Sequence, residues 1–251
     1  MAARVFIESS DVEGSSVRIT GPAARHLDGP LRARPGELIV VVEDSRLEHG
    51  VQLKEVNRDT VLGDVVWSRP ATGEPALRVH VVQAITQRGM DEAVEAMAQL
   101  GAASIRPVTT RRTVRRLDAD AAQRRQSRWN AIAREAAQLA GRARAPEVLP
   151  PVALEDALTR LPNGAEIVVA TLDAERPLSQ RRTSSPEVVL AIGPEGGLDP
   201  DEVRRLRAAD AEEVHLGARV LPAHLAGTIA LSLVLANAGD LDAPTAPAPK
   251  I

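Results

Sequence analysis

Residues 191–198 read AIGPEGGL, and they follow directly on the apolar run Glu187-Val188-Val189-Leu190-Ala191-Ile192. A β-branched run that breaks into a glycine loop is the usual entry to a phosphate cradle. The dinucleotide fingerprint needs G-x-G-x-x-G, and the P-loop needs a glycine loop ending in Lys-Ser or Lys-Thr. AIGPEGGLDPDE has no lysine and fits neither spacing. Pro194 also removes a backbone N–H that a phosphate nest would use. Two readings remain for this loop alone: a plain strand-to-helix turn, or a site for something other than phosphate. Residues 216–221, LGARVL, repeat the pattern of a strand running into a glycine turn, and an apolar helix follows. Two such turns at the C-terminal ends of parallel strands form the crevice in which open α/β sheets bind ligands. Glycine there lets a flat ligand approach the backbone closely.

The rest of the chain supports a parallel sheet. ALRVHVVQAI, SIRPV, EIVVATL, EVVLAI and EEVHL read as strands, and helices are predicted between them. The first helix runs from Met90 to Leu100 and ends at Gly101, a natural C-cap. A long Arg-rich helix covers 118–140 and closes at Gly141. Another covers 200–209, opened by Asp199 as N-cap with proline at the first helical position. The last covers 223–238. This alternation indicates a largely parallel sheet covered on both faces. Residues before 70 are different. SVRIT, ELIVVVED, GVQLKEV and TVLGDVVW are short strands separated by turn residues, which suggests a small β-barrel. Residues 68–75 read as a linker, and the Pro-rich tail 243–251 as disordered.

Composition sets further bounds. The chain has 251 residues, 44% of them hydrophobic, with Phe6, Trp67 and Trp129 as its only aromatics. The core must be aliphatic, and a surface that stacks bases on several rings is excluded. There is no cysteine, so thiolate metal sites and cysteine nucleophiles are excluded. The histidines are scattered: His26 reads as structural, and His49, His80 and His215 suggest no metal site. No run has the roughly 18 apolar residues of a membrane span, and MAARVFIESS lacks a signal-peptide core. A soluble, cytoplasmic protein is expected. The net charge is −3, but residues 106–144 hold eleven arginines against Asp118, Asp120 and Glu135, a local +8. An asymmetry of that size suggests an anionic partner, although a charge run is more often a solvated helix face.

Several motifs now combine in order. They are Arg4-Val5-Phe6, His26-Leu27, Leu31-Arg32 and Gly36-Glu37; then VVQAI, Met90-Asp91, Leu100-Gly101 and Pro107-Val108. Arg128-Trp129, Ile132-Ala133, Glu135-Ala136-Ala137, Gly141-Arg142 and Pro146 follow, and IGPEGG, LGARVL and Gly239-Asp240 complete the set. In this arrangement the chain resembles the small-subunit ribosomal RNA uridine-N3 methyltransferases. These are the methyltransferase E family of the SPOUT, or α/β-knot, superfamily. The resemblance implies an α/β fold: a C-terminal trefoil-knotted methyltransferase domain at 73–242 and an N-terminal, PUA-like RNA-binding β-barrel at 1–72. Periodicity could not have suggested a knot, because knots are rare exceptions to the usual connection rules.

The resemblance also implies S-adenosylmethionine as cofactor, a homodimer, and 16S rRNA of the 30S subunit as partner. The cofactor would lie against Leu172, Ile192, Gly193, Pro194, Glu195, Gly196, Gly197, Leu216, Gly217, Val220, Leu221 and Ala226. RNA would be held by Arg32, Arg111, Arg112, Arg128 and Arg142, with Arg115 and Arg116 adding to the field. Methylating uridine N3 requires loss of its proton, so a base or an anion-stabilising cation is needed. Arg219, Glu195 and His224 are the catalytic candidates. Each has a plainer alternative: an Arg219–Glu195 ion pair, a loop anchor, or a polar residue in a helix's first turn.

The chain departs from the family pattern at named places. Where the family reads roughly L-G-x-R-I-L-R-x-E-T-A, this chain reads LGARVLPAHLA, with Pro222, His224 and Leu225 in place of Arg, Glu and Thr. Ala96 and Gln99 replace a Lys and an acid, and Leu139-Ala140 replace Gln-Ser. These changes keep two other readings open: an RNA-binding paralogue without turnover, and a methyltransferase with another RNA site or a small molecule as acceptor. A Rossmann methyltransferase is disfavoured, since its glycine motif comes after the first strand.

Overall fold

The computed structural model describes residues 2–44, 46–113 and 117–242. Arg115, Arg116 and the tail from 243 lie outside them. The chain divides into two compact units: residues up to Glu74 together with 137–144, and the remainder of the described chain.

The first unit holds β1 (Arg4–Ile7), β2 (Val12–Glu13), β3 (Ser16–Thr20), α1 (Gly21–Asp28), β4 (Leu38–Glu43), β5 (Leu47–Val56) and β6 (Thr60–Pro70). They form one sheet in the order β1-β4-β5-β6-β3-β2, with β1 parallel to β4 and the other pairs antiparallel. Its core is aliphatic as expected, with Val5, Ile19, Leu27, Ile39, Val41 and Leu53 in one cluster. Trp67 lies over Gly50, its register partner across β5 and β6. A Cβ at Gly50 would sit 2.1 Å from the Trp67 Nε1, so only glycine fits beneath the ring.

Two elements of this unit differ from the sequence expectation. The predicted linker begins later, because Ser68, Arg69 and Pro70 continue β6 opposite Leu47, Glu48 and His49. The turn-forming composition there is overridden by an available partner strand. Helix α1 was not foreseen; GPAARHLD is short, and Pro22 at its start reads equally well as a turn.

The second unit carries β7 (Arg78–Ala84), α2 (Met90–Leu100), β8 (Ser104–Thr109), α3 (Ala119–Leu139), β9 (Glu147–Val148) and β10 (Val152–Ala153). It continues with α4 (Leu154–Leu158), β11 (Glu166–Ala170), β12 (Glu187–Ile192), α5 (Pro200–Ala208), β13 (Glu212–Val214) and α6 (Ala223–Asn237). All its strand pairs are parallel, in the order β10-β8-β7-β12-β11-β13, with β9 also beside β8. Strand β12 shows why the run 188–192 is apolar throughout. Val188, Leu190 and Ile192 face one cluster with α2, α3 and α6, while Val189 and Ala191 face the other with α4 and α5.

Two polar anchors account for motifs noted in the sequence. Trp129 is 1% exposed, and its Nε1–H donates to Asp91 Oδ1 at 2.9 Å. Arg128 forks onto Asp91 Oδ2 at 2.8 and 2.6 Å. The Arg128 hydrogen bond holds the Asp91 carboxyl below its ordinary range, against the opposing effect of burial. The pair Arg128-Trp129 thus ties α3 to the start of α2. In the first unit, Arg142 is 2% exposed and donates to both oxygens of Glu74 at 3.0 and 2.8 Å. A third stabilised carboxylate, Glu166, begins β11. Burial pulls its pKa upward, but the Ser184 amide, the Thr183 and Ser184 hydroxyls and Arg181 outweigh it, and the pKa falls to about 2.

Replacing Arg142 by alanine removes the buried fork and leaves the part-buried Glu74 only Arg144 and the Ala143 amide. The expected cost is about 1–3 kcal/mol, read as a lower urea midpoint. Glu166 binds its proton less readily folded than unfolded. Its contribution is therefore present above its unfolded value and lost as pH falls towards about 2. An acid titration of stability should show a shallower decline over that window for Glu166→Gln than for the parent protein.

Candidate functional site

Register decides where the site lies. Ile192 is level with Gln83 on one side and Ala170 on the other; Ala170 is level with Val214, and Ala84 with Val108. The C-terminal ends of β8, β7, β12, β11 and β13 therefore share one sheet edge. The segments 110–113, 85–89, 193–199, 171–177 and 215–222 all leave from it. Both glycine turns of the sequence are among these segments.

The first turn is held from several sides. The Gly197 N–H donates to the Pro194 carbonyl at 2.9 Å, with Gly197 at φ +71. The Glu195 side chain accepts from the Gln87 N–H at 2.9 Å, and Arg112 donates to the Gly196 carbonyl at 2.9 Å. Glu202, 1% exposed, accepts from the amides of Arg111 and Asp199, both at 2.8 Å. Asp199 and Glu202 form the capping box of α5. The glycine loop is thus a braced surface and not a mobile turn.

The second turn is built on His215. Its N–H donates to the Arg176 carbonyl, its carbonyl accepts from Leu178, and its Nδ1 accepts from the Gly217 N–H at 3.1 Å. Gly217 adopts φ +101, open only to glycine without strain. Leu216 packs against the main core, as does Ala226. Val220 and Leu172 are 78% and 72% exposed, large apolar side chains beside bare backbone. Above the turns there is room: a Cβ at Gly196 would meet nothing nearer than Arg112 at 3.6 Å, and one at Gly217 only Arg219 at 3.9 Å. The crevice suits a ligand with a flat, partly apolar body and polar edges that bond to main chain.

The three catalytic candidates are on adjoining segments of this edge. Glu195 and Arg219 are exposed, and no ion pair joins them among the described residues. His224, half-buried in the first turn of α6, packs its ring against Gly89. Pro222 is the N-cap residue of α6 and leaves the helix intact.

The proposed RNA contacts fare unevenly. Arg111 pairs with Asp199 and Asp201, and Arg128 with Asp91, yet both stay exposed, at 48% and 67%. Arg112 is exposed and bonded to the glycine loop, and Arg32 is exposed in the first unit. Arg142 is a correction: a guanidinium that is buried and clamped by Glu74 presents nothing to an RNA backbone. The local +8 is accordingly weaker than a count suggests. Of the departures from the family pattern, Gln99 bonds to Glu95 of its own helix, and Leu139 is 69% exposed. Three supporting residues were missed: Gln87, Glu202 and Gln83. Asp199-x-x-Glu202 was a legible capping signal. Gln83 is fully buried in β7 with its Oε1 unpaired, and a glutamine within an apolar strand was the clue.

Residues 73–235 match the model of a family described as an RNA methyltransferase domain. The chain belongs to this family. A "Ribosomal RNA small subunit methyltransferase E" from Bacillus subtilis is 27% identical over 243 residues, covering 92% of this chain and 95% of that one. A protein of the same name from Mycobacterium bovis is 29% identical, covering 91% of this chain and 89% of its own. Among solved structures, a small subunit methyltransferase E from Neisseria gonorrhoeae, bound to S-adenosyl methionine, superposes with a TM-score of 0.84. It is 27% identical, and the match covers 92% of this chain and 96% of that one. The second unit therefore has the parallel α/β fold of a SPOUT methyltransferase domain, preceded by a β-sheet domain as in those relatives.

Gly89→Ala tests the packing beneath the site. The new Cβ would lie 2.6 Å from His224 Cγ, on a backbone at φ +78. The backbone strain alone costs about 1–2 kcal/mol. Adding His224→Ala should recover only the steric part, which a double-mutant cycle in urea separates.

Proposed function

We propose that this protein transfers a methyl group from S-adenosylmethionine to N3 of a uridine in the 16S rRNA of the small ribosomal subunit. It works as a homodimer in the cytoplasm, with residues 1–72 as an RNA-binding PUA-like module. The observation that carries the proposal is the braced pair of glycine turns on one sheet edge, in a chain similar along nearly its whole length to methyltransferase E proteins. The backbone of 192–197 and 216–217 would hold the donor, with Leu172, Val220, Leu221 and Ala226 against its apolar parts. When bound, the donor supplies a sulfonium methyl. Exposed Leu172, Val220 and Leu225 support an apolar covering over this edge, which a second subunit would provide.

The chain's own residues must orient the uridine and remove its N3 proton. His224 accepts that proton at an imidazole nitrogen. Arg219 stabilises the charge that spreads over the pyrimidine oxygens as the proton leaves. Glu195, fixed by the Gln87 amide, positions the loop on which the donor rests. Exposed Arg32, Arg111, Arg112 and Arg128 hold the RNA backbone.

The first test is calorimetric titration with S-adenosylmethionine, alone and with 30S subunits, followed by nucleoside analysis for N3-methyluridine. Arg219→Ala is expected to lower kcat about 10²–10³-fold. His224→Ala should lower it about 10²-fold or more. Glu195→Ala should chiefly raise the donor KM. No donor heat even with 30S present overturns the proposal in favour of a non-catalytic RNA binder, the reading that the departures at Ala96, Gln99, Leu139, Pro222 and His224 motivate. Donor binding with no N3-methyluridine formed points to another acceptor.

A further inference from the structure

The opposite edge of the same sheet has an unusual feature. On the face covered by α4 and α5, β7 presents Arg78, His80, Val82 and Ala84 in alternation, and β8 presents Ser104, Arg106 and Val108. The residues near the C-terminal ends, Val82, Ala84 and Val108, join the apolar cluster with Leu154 and Ala157. Those near the N-terminal ends are all polar. Strands of a parallel sheet are normally apolar on both faces, so four polar positions side by side call for a cause. Helix α4, only five residues long, stops short of covering them. A cavity of about 250 Å³ remains, with Arg78, His80, Ser104, Arg106, Glu147 and Arg160 in its wall.

Its charges do not balance. Arg78 pairs with Glu187 at 2.9 Å, and that carboxylate lies 3.9 Å from His80 Nε2. His80 Nδ1 shares a hydrogen bond with Ser104 Oγ at 2.8 Å. Arg106 and Arg160 form no ion pair among the described residues, and Glu147 is the only carboxylate in the cavity wall. Burial, and then the nearby Arg160 guanidinium, push Arg106 below the ordinary guanidinium range, and Glu147 opposes them. Arginine nevertheless stays protonated in proteins. Two repelling guanidiniums in a half-buried cavity are relieved by a bound anion. Their planar forks match a tetrahedral oxyanion with several acceptors.

We propose that this cavity is a phosphate-binding site, with Arg106 and Arg160 as its anion ligands and Ser104 beside them. The phosphate belongs either to an RNA backbone or to a free nucleotide-sized molecule. The volume is below the usual range for cofactor pockets and suits a phosphate with little attached. The site is distinct from the glycine crevice. The seven residues of β7 separate the two edges by about 20 Å at the usual rise per residue.

The test compares the full chain with Arg106→Gln/Arg160→Gln in two titrations. One uses inorganic phosphate and uridine 5′-monophosphate, and the other uses 30S subunits over a range of salt. If the phosphate is RNA's, the double variant binds 30S about tenfold more weakly. Its log K against log salt slope is shallower by about one. If it is a small molecule's, phosphate or the mononucleotide saturates the parent protein and not the variant, while 30S affinity is unchanged. Equal behaviour in both titrations overturns the proposal. Arg160→Gln alone changes an exposed side chain without disturbing a strand. It must show the same trend, which guards against a misfolded double variant. S-adenosylmethionine titration of the same variants reads the donor site separately, so failure of one assignment does not disguise failure of the other.

Discussion

The parallel register of β8, β7, β12, β11 and β13 is the constraint on which the rest of the second unit depends. It makes Gln83, Ile192, Ala170 and Val214 level, so that every loop after those strands opens on the same edge. Parallel pairing requires long crossovers, and the helices in those crossovers bury both faces. The edge is then where the backbone of the glycine turns can meet a ligand. Glycine at 196, 197 and 217 keeps side chains out of the way there. The side chains that do project into the loops mostly brace them: Glu195 to Gln87, Arg112 to Gly196, Glu202 to Arg111 and Asp199. Such bracing is what preorganised binding needs, because a loop already fixed loses little entropy when a ligand arrives.

Charge is handled inside the fold before it is offered to a partner. The arginine-rich stretch looks, by count, like a continuous basic surface. In the folded chain Arg142 is buried and locked to Glu74, and Arg128, though exposed, shares its charge with Asp91. Arg111 shares its charge with two carboxylates at the start of α5. What remains is a set of separate positive points. At the far edge of the sheet, Arg106 and Arg160 form no ion pair among the described residues and face one carboxylate between them. The two edges of one sheet thus differ: glycine turns braced by side chains at one, a polar cavity with two arginines at the other.

Much of this was legible in the sequence. Uniformly apolar runs such as 188–192 determined a parallel, doubly covered sheet, since a strand buried on both faces cannot alternate. Gly101 and Asp199 marked helix ends by local geometry alone. The ordered motifs determined the family. Local pattern is sufficient for these because each depends on neighbours in the chain. Only the tertiary structure decided what the long-range partners were. Composition made Ser68, Arg69 and Pro70 a linker until a strand 20 residues away accepted them. Arg142 looked like its exposed neighbours until Glu74 met it across 68 positions of chain. The brace from Gln87 to Glu195, and the cluster of Arg106 with Arg160, join residues that no spacing rule connects. A side chain's charge is written in the sequence, but whether that charge is spent on another residue or left for a ligand depends on distances that folding alone sets.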